Sequence, residues 1–134
     1  MTYTGPERRR GAPDRRASGE RIRLLLVDDH ALVRVGMRAI LEREPDFEIV
    51  GEADDGRSAH DAALASSPTI ILMDLSLPPP GGIETTQRIK RDIPATGIIV
   101  LAQDEDEEAL FQAIRAGAAA FLLKDIGPDD LVTI

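Results

Sequence analysis

The chain has no cysteine and no tryptophan, one tyrosine and three phenylalanines among 134 residues. Without cysteine it forms no disulfide and no thiolate metal site, which fits a reducing compartment such as the cytoplasm. Nothing in it is apolar for long enough to span a bilayer, and no signal-peptide core is present. With so few aromatics, the core must be built from aliphatic side chains. The length suits one domain with a real core.

Charge is unevenly distributed. Residues 1–23 carry seven arginines against three acids, whereas residues 24–134 carry nine basic residues against twenty-one acidic ones. An acidic body is a poor direct ligand for nucleic acid and suits cations and basic partner surfaces. Residues 1–21 lack apolar periodicity and are rich in Gly, Pro and Arg, so they are expected to be a disordered Arg-rich leader. The Arg8-Arg9-Arg10 and Arg15-Arg16 clusters suit phosphate or anionic lipid, but a solvated tail is the plainer reading.

What the chain does have is short, unbroken apolar runs that stop at charges. Ile70-Ile71-Leu72-Met73 runs without alternation into Asp74, and Pro78-Pro79-Pro80-Gly81-Gly82 lies a few residues beyond. Such a run reads as a strand buried on both faces, and the prolines prevent its continuing. Residues 22–27 form a similar run before Asp28-Asp29-His30. Strands are also expected over 47–53, 97–101 and 119–123, the last followed by Lys124. Apolar residues at helical spacing predict helices over 31–42, 57–65, 83–91 and 105–116. In the first, Val33, Met37, Ile40 and Leu41 recur, with Arg34 and Arg38 on other faces. In the second, Ala59, Ala62, Ala63 and Leu64 form the inner side. Gly117 reads as a C-cap, and Pro128 opens a fifth helix whose apolar face stops after about two turns. Five successive strand–helix units predict an α/β fold with a doubly wound five-stranded parallel sheet. The chain reads as cut from something longer.

In a parallel sheet the ends of strands one, three and five share one edge. Asp28, Asp29, Asp74 and Lys124 therefore converge. Gathered carboxylates repel one another unless a cation intervenes, and oxygen ligands with no His or Cys suit Mg²⁺. Singly, Asp28-Asp29 reads as a helix cap and Lys124 as a solvated strand-end charge. Together they form a site for phosphoryl transfer to a carboxylate, with a metal for the charge, an ammonium for the phosphoryl oxygens and aspartate as nucleophile.

LLLVDDHALVRVGMRAILE, IILMDLSLP and GAAAFLLKD, in that order and spacing, resemble the receiver domain of two-component response regulators, nearest in spelling to the NarL/FixJ (LuxR-type) subgroup. The resemblance covers about residues 22–134 and implies a flavodoxin-like (CheY-like) sheet of order 2-1-3-4-5. It implies that Asp74 is the phospho-acceptor and that Asp29 binds Mg²⁺ directly. Asp28 would bind it through water, and the main-chain carbonyl of Ser76 would complete the protein ligands. Lys124 would contact the phosphoryl group. A sensor histidine kinase would be the donor, and helix four, strand five and helix five would form a dimer or output surface. DNA would be bound only through an output domain beyond Ile134. No membrane partner is implied.

Two departures from the family pattern stand out. The Thr or Ser usual at the end of strand four is Ala102, which cannot donate to a phosphoryl group, so weakened switching is expected, or switching through a neighbour such as Gln103. Pro79-Pro80-Gly81 replaces a more flexible segment, removing N–H donors beside Asp74. Phe121 stands at the family's rotating aromatic position, but equally reads as a core aromatic. His30 is expected in the first turn of helix one and His60 on the surface of helix two, both structural. Other classes fit less well. Haloacid-dehalogenase phosphohydrolases carry a second acid where Ser76 stands, and a Rossmann nucleotide fold needs glycines where Asp28-Asp29-His30 stands. The serious alternative is a pseudo-receiver, a phosphorylation-independent interaction module, on the strength of Ala102.

Overall fold

The computed structural model describes residues 21–124. Within them the elements alternate without exception: β1 (Ile22–Val27), α1 (Ala31–Leu41), β2 (Phe47–Ala53), α2 (Gly56–Ser66), β3 (Ile70–Asp74), α3 (Gly81–Asp92), β4 (Gly97–Ala102), α4 (Glu107–Ala116) and β5 (Ala120–Leu123). All neighbouring strands pair in parallel, in the order β2-β1-β3-β4-β5. The expected fifth helix and Arg-rich leader fall outside the described residues.

The unbroken apolar runs follow from burial on both faces. Leu25, Val27, Ile71, Met73, Ile98 and Val100 pack with Ala59 and Ala63 of α2, Ile89 of α3 and Ala113 of α4. Their sequence neighbours Leu24, Leu26, Leu72, Ile99 and Leu101 face the other way, with Met37 and Leu41 of α1. The small residues of α2 let it approach closely. A Cβ on Gly56 would overlap Thr85 Oγ1 on α3.

Several expectations shift by a residue or two. Helices α2 and α3 begin earlier than expected, on Gly56 and Gly81, and α4 begins later, at Glu107, because Asp106 caps it by accepting from the Glu108 and Ala109 N–H groups. Gly117 ends α4 with φ 108°, as its residue type suggests. Leu64 is 52% exposed rather than inward, and Val33 also faces out. His30 is the residue before α1, in extended conformation, not part of its first turn. His60 is not a free surface group: its Nε2 lies 2.7 Å from Asp92 Oδ2 and ties α2 to α3.

The chain runs from β1 to β2 on one side and then returns to β3 on the other. The strand order therefore reverses between β1 and β3, and the crevice at that reversal lies at their carboxyl ends. Register places Val27 beside Met73, so Asp28 and Asp74 emerge side by side. Among the described residues, no helix is long and apolar enough to cross a membrane.

Candidate functional site at the carboxyl edge of the sheet

Asp74 is the last residue of β3 and is almost wholly buried. Its Oδ1 accepts the Ser76 N–H at 3.0 Å and lies 3.0 Å from Lys124 Nζ. Its Oδ2 is buried and has no hydrogen-bond partner among the described residues. A buried carboxylate oxygen left without a partner is costly unless something else occupies the place. Burial pushes the Asp74 carboxyl above the usual aspartate range, helped by the nearby charge of Asp28 and opposed by the Ser76 N–H and Lys124.

Asp28 follows β1 and is also buried. Its Oδ2 pairs with Lys124 at 3.0 Å, while its Oδ1 accepts the His30 N–H at 2.8 Å. Neither Asp28 nor Asp29 caps α1, whose N-terminal residue makes no side-chain cap bond. The capping alternative for this pair is therefore set aside. Asp29 is more exposed, and its Oδ1 lies 3.1 Å from His30 Nδ1.

Lys124 follows β5, where its N–H donates to the Ala102 carbonyl at 2.7 Å. Its ammonium reaches past β4 to both Asp74 and Asp28. Burial works against that charge, but the hydrogen bonds and charges of Asp74 and Asp28 prevail and hold its pKa above the ordinary lysine value. Three carboxylates and one ammonium leave a charge excess that a single divalent cation neutralises. Potential ligand atoms of Asp28, Asp29, His30 and Asp74 all lie within 4.8 Å of one another. Oxygen donors in this number, with an orphaned buried oxygen among them, fit a hard divalent cation.

The acidic turn is held from behind. Arg34 of α1 donates through Nη1 to the Asp28 carbonyl and through Nε to Glu52 Oε1 at 2.9 Å. Arg38, one turn on, donates to Glu52 Oε2 at 2.7 Å and to Glu42 at 2.8 Å. The Arg38 hydrogen bond, against some burial and with help from Arg34, holds Glu52 below the usual glutamate range. Sequence reasoning placed these arginines on other faces of α1 and missed that both bind Glu52, near the end of β2, and that Arg34 also reaches the Asp28 carbonyl. The signal was available in two arginines four apart beside a strand-end acid.

On the α3 side the backbone comes very close. A Cβ on Gly82 would overlap the Asp74 carbonyl oxygen and lie 2.9 Å from Leu75 Cα. Ala102 is buried at the end of β4, Gln103 is exposed, and Phe121 packs against the core beneath α2, α3 and α4. Ser76 is exposed.

Residues 24–134 match the family model described as the response regulator receiver domain. The chain is 46% identical over 103 residues to the transcriptional regulatory protein LiaR of Bacillus subtilis, covering 77% of this chain and 49% of that protein. It is 38% identical over 110 residues to the oxygen regulatory protein NreC of Staphylococcus haemolyticus, covering 81% and 50%. The chain thus spans about half the length of the curated relatives it matches. Among solved structures, a LuxR-family two-component response regulator from an Aurantimonas species superposes with TM-score 0.81 at 37% identity, covering 85% of this chain and 81% of that one. The isolated receiver of Salmonella RcsB, solved with the phosphomimetic BeF₃⁻, gives TM-score 0.77 at 27% identity, covering 85% of each.

Proposed function

The chain belongs to the response regulator receiver domains, of LuxR/NarL type, and on that premise we propose that it accepts a phosphoryl group on Asp74 from a sensor histidine kinase. The observation that carries the reading is the pairing of Lys124 with Asp74 Oδ1 while the buried Oδ2 has no partner among the described residues. One oxygen is held by donors and the other is left for chemistry. Receiver domains generally use Mg²⁺ at their acidic pocket, and the donor set described above fits it. In the reading proposed here Asp29 binds the ion directly, Asp28 acts through water, and Asp74 and the Ser76 main-chain carbonyl complete the ligands.

When bound, Mg²⁺ supplies positive charge to the transferring phosphoryl oxygens. The chain's own residues do the rest. Asp74 Oδ2 forms the new O–P bond as the N–P bond to the kinase histidine breaks, and the electron pair of that bond stays on the imidazole nitrogen. The Ser76 N–H and Lys124 orient the carboxylate through Oδ1. Lys124, already between Asp28 and Asp74, stabilises the added negative charge. The chemistry is phosphoryl acceptance by a signalling domain, with the domain's own aspartate as the group modified.

Ala102 bears on how the modification is reported. A charge-assisted hydrogen bond contributes about 1.5–3 kcal/mol, similar to a typical allosteric coupling of ~1–3 kcal/mol. Lacking a hydroxyl there, the domain transmits phosphorylation weakly along β4, and Phe121 and the neighbouring Gln103 become the positions through which a remaining response would pass. The pseudo-receiver alternative rests on Ala102 alone. In a longer protein of the kind represented by the curated relatives, the domain would control a LuxR-type DNA-binding output module in the cytoplasm. A homodimer would use α4, β5 and the segment after them.

The test is incubation with acetyl phosphate and Mg²⁺, followed by intact-mass measurement and peptide mapping. A single hydroxylamine-sensitive phosphoryl group on the Asp74 peptide, absent from Asp74→Asn, is expected. A modification that persists in Asp74→Asn would remove Asp74 from the mechanism.

A further inference from the structure

Helix α1 is apolar on two opposite faces. Met37 and Leu41 turn inward and are buried. On the far side, at spacings of three and four, stand Leu32, Val35, Gly36 and Ala39, all exposed. Leu32 keeps 82% of its surface open to solvent and Val35 63%. A surface helix ordinarily carries polar or charged residues on its outer face. Here the arginines of α1 are drawn to one flank instead. Arg34 and Arg38 both bind Glu52, and Arg38 also binds Glu42. Gly36 sits at the centre of the outer stripe, where glycine costs helix stability relative to alanine. A Cβ at Gly36 would meet nothing within 4 Å, so the glycine makes room for no other described residue. An apolar stripe with such a glycine at its middle suits a second backbone packing closely from outside.

We propose that this face of α1 packs against the same face of a second copy of the chain, the two helices antiparallel about a twofold axis at Gly36. The large residues Leu32 and Val35 occupy the amino-terminal half of the stripe, and the small residues Gly36 and Ala39 the other half. Parallel packing sets large on large and small on small. Antiparallel packing sets each copy's Leu32 and Val35 over the other's Ala39 and Gly36. The surface is then complementary to itself, as a twofold interface requires. The charges at the two ends agree. Asp29 before α1 and Arg43 after it are both exposed and are equidistant in sequence from Gly36. The antiparallel arrangement brings each guanidinium to the acidic end of the other helix, whereas a parallel one opposes like charges. This pair lies at the rim and orients the contact more than it strengthens it. The face is distinct from α4 and β5, and the proposal does not depend on phosphoryl acceptance by Asp74. A lone helix face buries less than the ~800 Å² per partner of a standard interface, so the dimer is weak, with Kd on the order of 10⁻⁴ M.

The test is sedimentation equilibrium of the 134-residue chain at concentrations from about 10 μM to about 1 mM, which bracket that Kd. Wild type is expected to pass reversibly from monomer to dimer. Leu32→Glu should weaken association about tenfold or more, and Arg43→Glu about threefold. Both side chains are exposed, so both variants should keep the wild-type urea midpoint, which shows that they are folded. Because the chain has no cysteine, Gly36→Cys and Phe111→Cys each carry a single thiol. A disulfide needs its two Cα atoms about 4.4–6.8 Å apart, which a twofold axis at Gly36 provides. Mild oxidation should therefore cross-link Gly36→Cys and leave Phe111→Cys, at an exposed position on α4, mainly monomeric. Wild type that stays monomeric to the top of the concentration range overturns the proposal and leaves the stripe to a helix of another protein. Leu32→Glu that dimerises as wild type does also overturns it. So does cross-linking of Phe111→Cys in preference to Gly36→Cys, which would place the contact on α4.

Discussion

Lys124 Nζ lies 3.0 Å from Asp74 Oδ1, although their strands are separated by β4. The ammonium crosses the carboxyl edge of the sheet and also meets Asp28 Oδ2 at 3.0 Å. Removing it leaves two buried carboxylates facing each other. Lys124→Ala is expected to lose about 1–3 kcal/mol in metal-free buffer, less than a fully buried pair because the lysine retains some solvent. Millimolar Mg²⁺ should recover part of that loss. The wild-type lysine has a raised pKa, so its contribution is complete below the ordinary value of 10.5 and disappears as pH rises through the raised one. Urea unfolding of both proteins between neutral and strongly alkaline pH checks this. An alkaline loss of the same size in Lys124→Ala would assign that limb elsewhere.

Asp74 behaves in the opposite sense. Its folded carboxyl holds a proton more tightly than the unfolded one, chiefly through burial. Ionising it therefore costs stability as pH rises from the ordinary value of 3.8 through the raised value. Metal-free Asp74→Asn should be more stable than wild type at neutral pH, on the order of 1 kcal/mol, since Lys124 retains Asp28 as a partner. Acidification below the ordinary value should remove the difference. Added Mg²⁺ should raise the wild-type melting temperature and leave that of Asp74→Asn nearly unchanged. Differential scanning calorimetry with and without Mg²⁺ reads all three effects.

The Arg34–Glu52–Arg38 arrangement predicts an acid-sensitive prop. Glu52 is held below its ordinary value of 4.5, first by Arg38. Its stabilisation is present above that value and is lost as pH falls through the depressed one. The pairs are partly exposed, so Glu52→Gln should cost roughly 1 kcal/mol or less at neutral pH. Wild type and variant should converge in acid. Arg34→Ala additionally releases the Asp28 carbonyl and should weaken Mg²⁺ affinity, which Arg38→Ala should affect less. Parallel Mg²⁺ titrations of the two arginine variants distinguish them.

Two glycines make opposite predictions. Gly82 faces the Asp74 carbonyl so closely that Gly82→Ala must displace α3 or the acceptor, a change expected to cost about 1–3 kcal/mol. A methyl group added at Gly36 on α1 would meet nothing within 4 Å, so Gly36→Ala should stabilise by about 0.5–1 kcal/mol. Chemical denaturation of the two variants gives the comparison directly.

Ala102→Thr places a hydroxyl at the end of β4. The site is fully packed, so the substitution should cost about 1–3 kcal/mol through crowding. It should nevertheless strengthen transmission. Amide shifts induced by BeF₃⁻ and Mg²⁺ should extend further into α4 and β5 than in wild type. Equal spread in both proteins would mean that the switch runs through another donor.

The strands were legible because residues such as Ile71 and Leu72 face opposite layers that are both apolar, so no alternation was needed to recognise them. Asp28, Asp74 and Lys124 were legible because each directly follows such a run. The helix starts at Gly56 and Gly81 were not. Glycine reads locally as a turn, and its use there is close approach, to Thr85 in one case and, through Gly82, to Asp74 in the other. His30 was expected within the first turn of α1 and instead precedes the helix, since helical spacing does not fix where the first turn begins. Only the three-dimensional turn brings its ring over two carboxylates. Arg34 was missed because its partners, Glu52 on β2 and the Asp28 carbonyl just after β1, lie at the ends of two different strands. Leu64 was misplaced because helical spacing alone does not say how wide the covered face is.

The most direct test of the central claim is titration of the chain with BeF₃⁻ in the presence and absence of Mg²⁺, followed by amide NMR, in wild type and Asp74→Asn. BeF₃⁻ on an aspartate stands in for the phosphoryl group. The account predicts saturable, Mg²⁺-dependent shifts at Asp28, Asp74, Ser76 and Lys124 in wild type, weak spread into α4, and none of this in Asp74→Asn. Absence of any Mg²⁺-dependent shift in folded wild-type protein would contradict the account and leave a module that acts without phosphate.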